Sequence, residues 1–417
     1  MPSPKAVTLL CSMHIGAPAR PVVKVGERVN VGTLVAEPAE GISSPVYSSV
    51  SGTVKKIEDV IVASGAAVPA IIIESDGAMT PDPYICPVVV ESRDEFIEAV
   101  KNSGTVGLGG AGFPAHVKLN VSEGVEIEEL IINCAECEPY ITSDTRTMID
   151  KTDDMAFGIE QIMKFLNIKK AIIGIENNKK SAIVAMRRLA SSIDGVSVTV
   201  LPSSYPQGAE KVMIYNLTGK VVPAGKLPIH VGTLVCNCTT VAAIGNYIKT
   251  GMPLVSKCIT VDGSGVHNPK NVIVPVGTAI SEVVDFCGGF VGTPGKIIYG
   301  GPMMGIAVAD VNSPVLKNTN AIIVFDEKDA VKKDQTQCIR CGSCASHCPY
   351  SLTPFAFAKA YRNKDVDTLR RLRVDICMEC GCCAYVCPAN IPLVQLHKLS
   401  KTMLREATVK EKEGAEK

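Results

Sequence analysis

The chain has 417 residues, too many for one ordinary domain and enough for about three or four. Hydrophobic residues make up 46% and charged residues 20%, which suits folded domains with substantial cores. The 42 Lys and Arg balance the 42 Asp and Glu, so the basic excess usual in nucleic-acid binding is absent and no nucleic-acid partner is expected. Met1 to Val7 contains Pro2 and Pro4, and no long apolar run follows, so no secretory signal is read there. The expected compartment is then cytoplasmic and reducing, where the 17 cysteines point to metal rather than disulfides. No uncharged apolar stretch of about 20 residues occurs, so the chain is not expected to span a membrane.

Residues 1 to about 80 hold short alternating runs, "PVVKVGERVNVGTLVAEP" and "ISSPVYSSVSGTVKKIE", that read as strands joined by Gly turns. Val25–Gly32, with the pattern V-G-E-x-V-x-x-G, resembles half of a biotinyl/lipoyl-type barrel-sandwich domain. Those domains carry their cofactor on a hairpin lysine. Glu37–Pro45 contains no Lys, so a structural or docking module is expected instead. After a Pro-containing link at Pro81–Pro87, strand candidates Glu129–Asn133, Ala171–Ile175 and Val196–Leu201 alternate with helical patterns at Asp94–Asn102, Met155–Leu166 and Lys179–Ile193. That alternation predicts a mostly parallel sheet with helices around it. Residues from about 254 to 300 predict a small β-rich module, with a short helix starting near Thr278 or Ser281 and a Gly/Met loop at Gly300–Gly305. Helical patterns then cover Leu352–Arg362, Asp365–Leu372 and Leu393–Glu406, and the charged tail after Ala407 is expected to fray.

Two cysteine runs repeat 39 residues apart: Cys338-x2-Cys341-x2-Cys344-x3-Cys348-Pro349 and Cys377-x2-Cys380-x2-Cys383-x3-Cys387-Pro388. Four thiolates saturate the irons of one cubane. The tight loop supplies three, and in two-cluster ferredoxins the fourth, before proline, ligates the other cluster. The expected sets are Cys338, Cys341, Cys344 and Cys387 on one 4Fe-4S cluster, and Cys377, Cys380, Cys383 and Cys348 on the other. Zinc sites use paired C-x2-C knuckles instead of a repeated three-plus-one spacing. Cys382 reads as a spare thiol and His347 as a solvated surface residue.

A lone Gly-rich loop is a weak signal, but "VGLGGAGFPAHVKL" (Val106–Leu119) is accompanied by "LIINCAECEPY" (Leu130–Tyr140), "YPQGAEKVMI" (Tyr205–Ile214) and "LVCNCTT" (Leu234–Thr240). Together these resemble the flavin-bearing, NADH-oxidising subunit of respiratory complex I, and more closely the RnfC-like family, the flavin subunits of the Rnf electron-transport complex. The likeness runs from about residue 10 to 405. It implies a multidomain α+β architecture: a barrel-sandwich hybrid domain (1–85), an FMN/NADH-binding α/β domain (92–252), a soluble-ligand-binding β-grasp module (253–310) and a helical dicluster 4Fe-4S ferredoxin domain (330–407). It also implies a non-covalent FMN with NADH as substrate. Gly107, Gly109, Gly110 and Gly112 would let backbone amides approach the flavin nucleotide, and Lys118 would contact its phosphate beside a helix N-terminus after Pro114. Phe113 would stack near the nicotinamide, Asn133 and Asn237 would touch the flavin, and Glu136, Glu138 and Glu210 would lie near flavin and NADH. Carboxylates there favour ribose hydroxyls over a 2′-phosphate, hence NADH over NADPH.

The chain departs from the complex I pattern at Leu108 (Arg there), Ala135 (Asp), Ala209 (Glu) and Cys236 (Asn), and the first three changes remove charged contacts. Cys134 and Cys137 form a C-x2-C beside the flavin loop, read as ordinary thiols with a redox disulfide as the alternative. The expected function is electron input from NADH through FMN and both clusters to ferredoxin-like or membrane redox subunits of an Rnf-type complex, peripheral on the inner face of the cell membrane. The chain opens almost at the first module, with "MHIGAPA" at 13–19, a form shared with soluble relatives. That keeps open a soluble flavoprotein feeding a dedicated reductase, such as proline reductase or a microcompartment enzyme. A non-catalytic ferredoxin-like scaffold is the third reading.

Overall fold

The computed structural model describes residues 1–415 apart from positions 64 and 123. The chain divides into two compact units. The first holds most of the chain up to Ala330, and the second holds Val331 onward with the short segments Pro223–Lys226 and Pro302–Met304.

The first unit opens with seven strands: β1 (Ala6–Leu10), β2 (Arg20–Pro21), β3 (Arg28–Val29), β4 (Leu34–Glu37), β5 (Val46–Tyr47), β6 (Gly52–Ile61) and β7 (Ala67–Ser75). They form one sheet in the order β1-β7-β6-β3 and a smaller one in the order β2-β4-β5. Alternating inward residues, among them Leu9, Val35, Val54, Ile71 and Ile73, fill the core between them.

The α/β portion follows with α1 (Arg93–Asn102), α2 (Ala115–Leu119), β8 (Glu129–Cys134), α3 (Ser143–Asp150), α4 (Thr152–Phe165), β9 (Ala171–Glu176), α5 (Lys180–Ser191), β10 (Val196–Leu201), α6 (Glu210–Thr218), β11 (Thr233–Asn237) and α7 (Cys238–Thr250). Its start is marked in the sequence: Ser92 caps α1 and Glu95 reaches back, a complete capping box. The four strands are parallel in the order β10-β9-β8-β11. Every residue of β9 is buried, as a parallel strand covered on both faces requires. Helices α4 and α7 cross at glycines: a Cβ on Gly158 would lie 2.3 Å from the Val241 carbonyl oxygen, and one on Gly245 would lie 2.1 Å from that of Asp154.

A five-stranded sheet comes next, from β12 (Ser256–Asp262), β13 (Lys270–Pro275), β14 (Pro294–Tyr299), β15 (Ile306–Val308) and β16 (Ala321–Asp326), with α8 (Ile280–Phe286) against it. The order β13-β12-β16-β14-β15 puts β16 in the middle. The sheet therefore draws its central strand from beyond the boundary expected at 310, because the apolar run AIIVFD needs burial on both sides. The N-cap of α8 is Ala279 and carries no side-chain cap bond; Thr278 Oγ1 donates to the Pro275 carbonyl instead. Lys317 joins the three parts. Its buried ammonium donates to Ser44 Oγ and to the carbonyls of Pro45 (2.5 Å) and Gly104 (2.8 Å), and burial among these neutral oxygens lowers its pKa to about 7.

The second unit is helical: α9 (Ser343–Ser346), α10 (Pro354–Arg362), α11 (Val366–Arg371), α12 (Cys382–Tyr385) and α13 (Leu393–Ala415). Helix α13 runs well past Ala407, in contrast to the fraying its charged sequence suggests. Arg370 on α11 meets Glu411 at 2.8 Å and fastens that end.

Candidate functional site

In the parallel sheet the chain winds outward from β8 through β9 to β10, then returns to place β11 on the other side of β8. This reversal is a topological switch point, and the crevice beyond the carboxyl ends of the two diverging strands is where open α/β sheets bind ligands. Asn237 ends β11 and pairs directly in register with Asn133, the residue before the end of β8. Both asparagines from the sequence reading thus stand side by side at the position the topology favours.

Each is held firmly. Asn133 Nδ2 donates to the Gly208 carbonyl at 2.9 Å, and its Oδ1 accepts from the Ala135 amide. Asn237 caps α7 by accepting from the amides of Thr239 and Thr240, and its Nδ2 donates to Asp144 Oδ2 at 2.7 Å. Asp144 also accepts from Thr239 Oγ1 at 2.6 Å, so it ties the start of α3 to the start of α7.

The glycine loop faces the same ends. A Cβ at Gly109 would lie 3.0 Å from Asn237 Nδ2, and Gly110 and Gly112 adopt positive φ (119° and 69°) that side chains disfavour. The Leu108 amide donates to Thr240 Oγ1, the Gly112 amide to the Gly107 carbonyl and the Gly107 amide to the Phe113 carbonyl. The amides of Gly109, Gly110 and Ala111 have no protein acceptor among the described residues. Three successive open N–H groups beside two helix starts make a cradle for an anionic or carbonyl-rich group. Phe113 is half-buried at the end of the loop.

Lys118 and Glu210 meet at 2.6 Å, each half-exposed. Burial pulls the Lys118 pKa down, but the Glu210 carboxylate and Cys236 outweigh it and leave it raised. Glu138 packs on Gly301, where a Cβ would come within 2.3 Å of the Glu138 Oε2. Glu136 is not in this group. It turns inward, where its carboxylate accepts from the Asp144 amide, the Thr145 amide and hydroxyl, and the Lys179 ammonium at 2.9 Å. Its pKa is raised by burial and by Asp144, with Lys179 opposing. Glu136 therefore braces the start of α3, buried and already accepting four hydrogen bonds.

Cys134 sits fully buried against Cys238, not against Cys137. The hydrogen bond that Cys238 donates to Cys134, together with burial, pushes the Cys238 thiol well up, and burial raises Cys137 and Cys236 to about 11. Cys137, Cys236 and Cys238 are thus held in the thiol form, which is a poor nucleophile.

In the second unit the sequence repeat is also a backbone repeat. Arg340 and Glu379, Gly342 and Gly381, and Ser351 and Asn390 take positive φ at matching places in the two motifs. Cys348 lies within electrostatic reach of Cys380 and Cys383, whereas Cys387 acts on Cys344, and one cavity is lined by Cys348, Cys377, Cys380 and Cys383 together. Cys348 thus lies with the second motif and Cys387 near Cys344, an arrangement compatible with crossed ligation. No group of three His, Cys, Asp or Glu among the described residues converges tightly enough for a single metal ion. A cubane spreads its ligands over four separate irons, so the donor set suits a cluster better than a zinc ion. Cys338 and Cys341 are exposed, while Cys380 and Cys383 are buried. His397 is buried with Nδ1 at 3.6 Å from Cys377 Sγ, and Lys401 donates to the Cys377 carbonyl.

Asp144, Thr239, Lys179 and Lys257 do not stand out in the sequence. Asn237-x-Thr-Thr is a legible helix cap. Lys257 falls in phase with the buried Ile259 and Val261 on β12, a charged residue on the core face of a strand.

Four family models match in chain order: the RnfC barrel sandwich hybrid domain (residues 1–78), the Nuo51 FMN-binding domain (100–246), the SLBB domain (258–307) and the 4Fe-4S dicluster domain (334–391). Among curated proteins, the chain is 40% identical over 361 residues to the C subunit of the proton-translocating ferredoxin:NAD(+) oxidoreductase complex of Clostridium ljungdahlii, covering 85% of this chain and 78% of that protein. It is 40% identical over 359 residues to the C subunit of the Na(+)-translocating complex of Acetobacterium woodii, covering 85% and 81%. It is 38% identical over 411 residues to the C subunit of the ion-translocating oxidoreductase complex of Rhodobacter capsulatus, covering 97% and 79%. Among solved structures, an NAD+-reducing [NiFe]-hydrogenase in the H2-reduced state matches with TM-score 0.53 at 19% identity over 75% of this chain and 63% of that one, a likeness of fold. The chain belongs to the RnfC family, the C subunits of Rnf-type ion-translocating ferredoxin:NAD oxidoreductase complexes.

Proposed function

We infer that this chain is the NADH-oxidising electron-input subunit of an Rnf-type complex, taking electrons from NADH through FMN and two 4Fe-4S clusters to a partner redox subunit. The observation that carries the reading is the open-amide cradle of Gly109, Gly110 and Ala111 at the switch point formed by Asn133 and Asn237. It fits a flavin nucleotide: small residues allow close backbone approach, and the N–H groups match phosphate or carbonyl oxygens. When bound, FMN accepts electrons from NADH in a pair and releases them singly, which is what iron–sulfur clusters require.

The chain's own residues do the rest. Gly107, Gly109, Gly110 and Gly112 shape the cradle, and Asn133 and Asn237 fix its floor. Lys118 supplies a positive charge, held by Glu210 until a phosphate competes for it. Glu138 and Glu210 offer acceptors to ribose hydroxyls, which favours NADH over NADPH, and Phe113 gives an aromatic face for the nicotinamide nucleotide. Cys338, Cys341, Cys344 and Cys387 hold one cluster, and Cys377, Cys380, Cys383 and Cys348 hold the other. No acid–base triad is needed, since the chemistry is positioning and electron transfer.

No helix among the described residues is long and apolar enough to cross a membrane. Curated relatives are subunits of ion-translocating complexes. Attachment to membrane redox subunits on the inner face of the cell membrane, with ferredoxin at the far end of the chain of carriers, is the matching arrangement for this chain. The test is cofactor analysis of the purified protein. About eight irons and one FMN per chain, with NADH-dependent dye reduction, are expected; iron without FMN or NADH activity would leave only an electron-carrying scaffold.

A further inference from the structure

The flavin loop is gripped from behind by three separate parts of the first unit. Lys257 Nζ on β12 donates to the Leu108 carbonyl at 2.6 Å, Asn318 Nδ2 to the Gly110 carbonyl at 2.9 Å, and the Ile15 amide to the Gly112 carbonyl at 2.9 Å. These peptides are trans, and in a trans peptide the carbonyl and the following N–H point to opposite sides. Pinning the carbonyls of residues 108, 110 and 112 from the rear therefore aims the amides of Gly109, Ala111 and Phe113 the other way. A donor on a carbonyl also polarises that peptide and strengthens its N–H.

One pin differs from the other two because it is charged. Lys257 is only 4% exposed, and its ammonium bonds to the Leu108 carbonyl, an uncharged oxygen. Burial lowers its pKa to about 8, against the opposing pull of Asp144, Cys258 and Cys238, so it is still mainly cationic at neutral pH. A buried cation bonded to a carbonyl, with no carboxylate in a salt bridge, is costly to a fold. A bound anion on the other side of that same peptide offsets the cost.

We propose that Lys257 is the charged positioning residue of the flavin cradle, acting through the Leu108–Gly109 peptide to aim and strengthen the Gly109 amide and to set a fixed positive charge behind the bound nucleotide. The proposal rests on the FMN reading above. Asn318 and Ile15 hold the loop in the same way without the charge.

The experiment uses the full chain with clusters intact and flavin removed. FMN is titrated back by fluorescence quenching, and the flavin midpoint potential is then measured. Lys257→Met and Lys257→Gln are compared with Asn318→Ala and the unaltered protein. Both Lys257 variants are expected to bind FMN about tenfold or more weakly, because a charge-assisted bond is lost. Both are also expected to shift the flavin to a more negative potential, since reduced flavin carries more negative charge. Asn318→Ala is expected to change affinity less than about threefold, the loss of one neutral hydrogen bond, and to leave the potential in place. Lys257→Gln keeps a donor without the charge and carries the test if the Met variant fails to fold. Unaltered affinity and potential in Lys257→Gln would overturn the proposal while leaving the FMN reading intact. An unaltered protein that takes up no FMN would overturn both.

Discussion

Lys179→Met is the sharpest test of how the flavin crevice is braced. Glu136, with its side chain 4% exposed, accepts from four donors: the Asp144 amide, the Thr145 amide and hydroxyl, and Lys179 at 2.9 Å. Thr145 and Lys179 oppose the rise that burial and Asp144 impose on its pKa. Without the ammonium, Glu136 is left buried beside Asp144 and Glu176 and escapes by taking up a proton. Breaking such a buried pair costs about 3–5 kcal/mol while the carboxylate stays charged. The loss is smaller at pH 5.5, where a group already raised above 4.5 takes up its proton at less cost. The sign follows from linkage. A folded-state pKa raised above the unfolded one makes the folded form the better proton acceptor, so its stability contribution is complete below 4.5 and is lost as pH rises through the raised value. Hydrogen exchange across residues 140–150 reads the effect, because the Asp144 and Thr145 amides are the ones bonded to Glu136. Opening of that segment is expected to rise by about a hundredfold or more at pH 7 and by clearly less at pH 5.5. Equal changes at both pH values, or none at pH 7, would refute the ion-pair argument.

Cys348→Ser is expected to damage the cluster held by Cys377, Cys380 and Cys383, because Cys348 faces that set; EPR showing loss confined to the Cys338, Cys341 and Cys344 cluster would contradict crossed ligation. Lys118→Ala is expected to weaken FMN retention by about tenfold through loss of a charged contact, and unchanged occupancy after dialysis would count against a phosphate role. Gly245→Ala drives a methyl into the Asp154 carbonyl at 2.1 Å and is expected to separate α4 from α7, costing about 1–3 kcal/mol in urea unfolding and loosening the Asn237 cap; a neutral result would mean the helix contact is not constrained there.

Much of this is legible in the sequence, for identifiable reasons. The strand candidates at 129 and 171 are apolar runs and the one at 196 alternates valine with polar residues, and they form β8, β9 and β10 within a residue. The cysteine spacing is legible as a 4Fe-4S dicluster domain because a two-cluster loop admits few spacings, and the matching family model covers 334–391. Helices α6 and α7 are masked by the glycine and cysteine motifs around them, which read first as chemistry; the Asn237-Cys-Thr-Thr cap marks the start of α7 all the same. β16 escapes because a module boundary cannot be seen from local pattern, and its apolar run pairs with β12 some sixty residues earlier. The extended α13 depends on a long-range pair, Arg370 with Glu411, that periodicity does not reveal. At the site, a motif gives residue types but not orientations. Glu136 shares a motif with Glu138, but the turn after β8 sends it inward to Lys179.

The central claim is that electrons enter at the cradle beside Asn133 and Asn237 and leave through the two cysteine-held clusters. Anaerobic NADH titration of the FMN- and iron-loaded full chain tests it most directly, followed by absorbance for the flavin and EPR for the clusters. The account predicts flavin bleaching together with the appearance of reduced-cluster signals as NADH approaches stoichiometry. Clusters that stay oxidised with NADH yet reduce readily with dithionite, in a protein that retains its FMN, would contradict it.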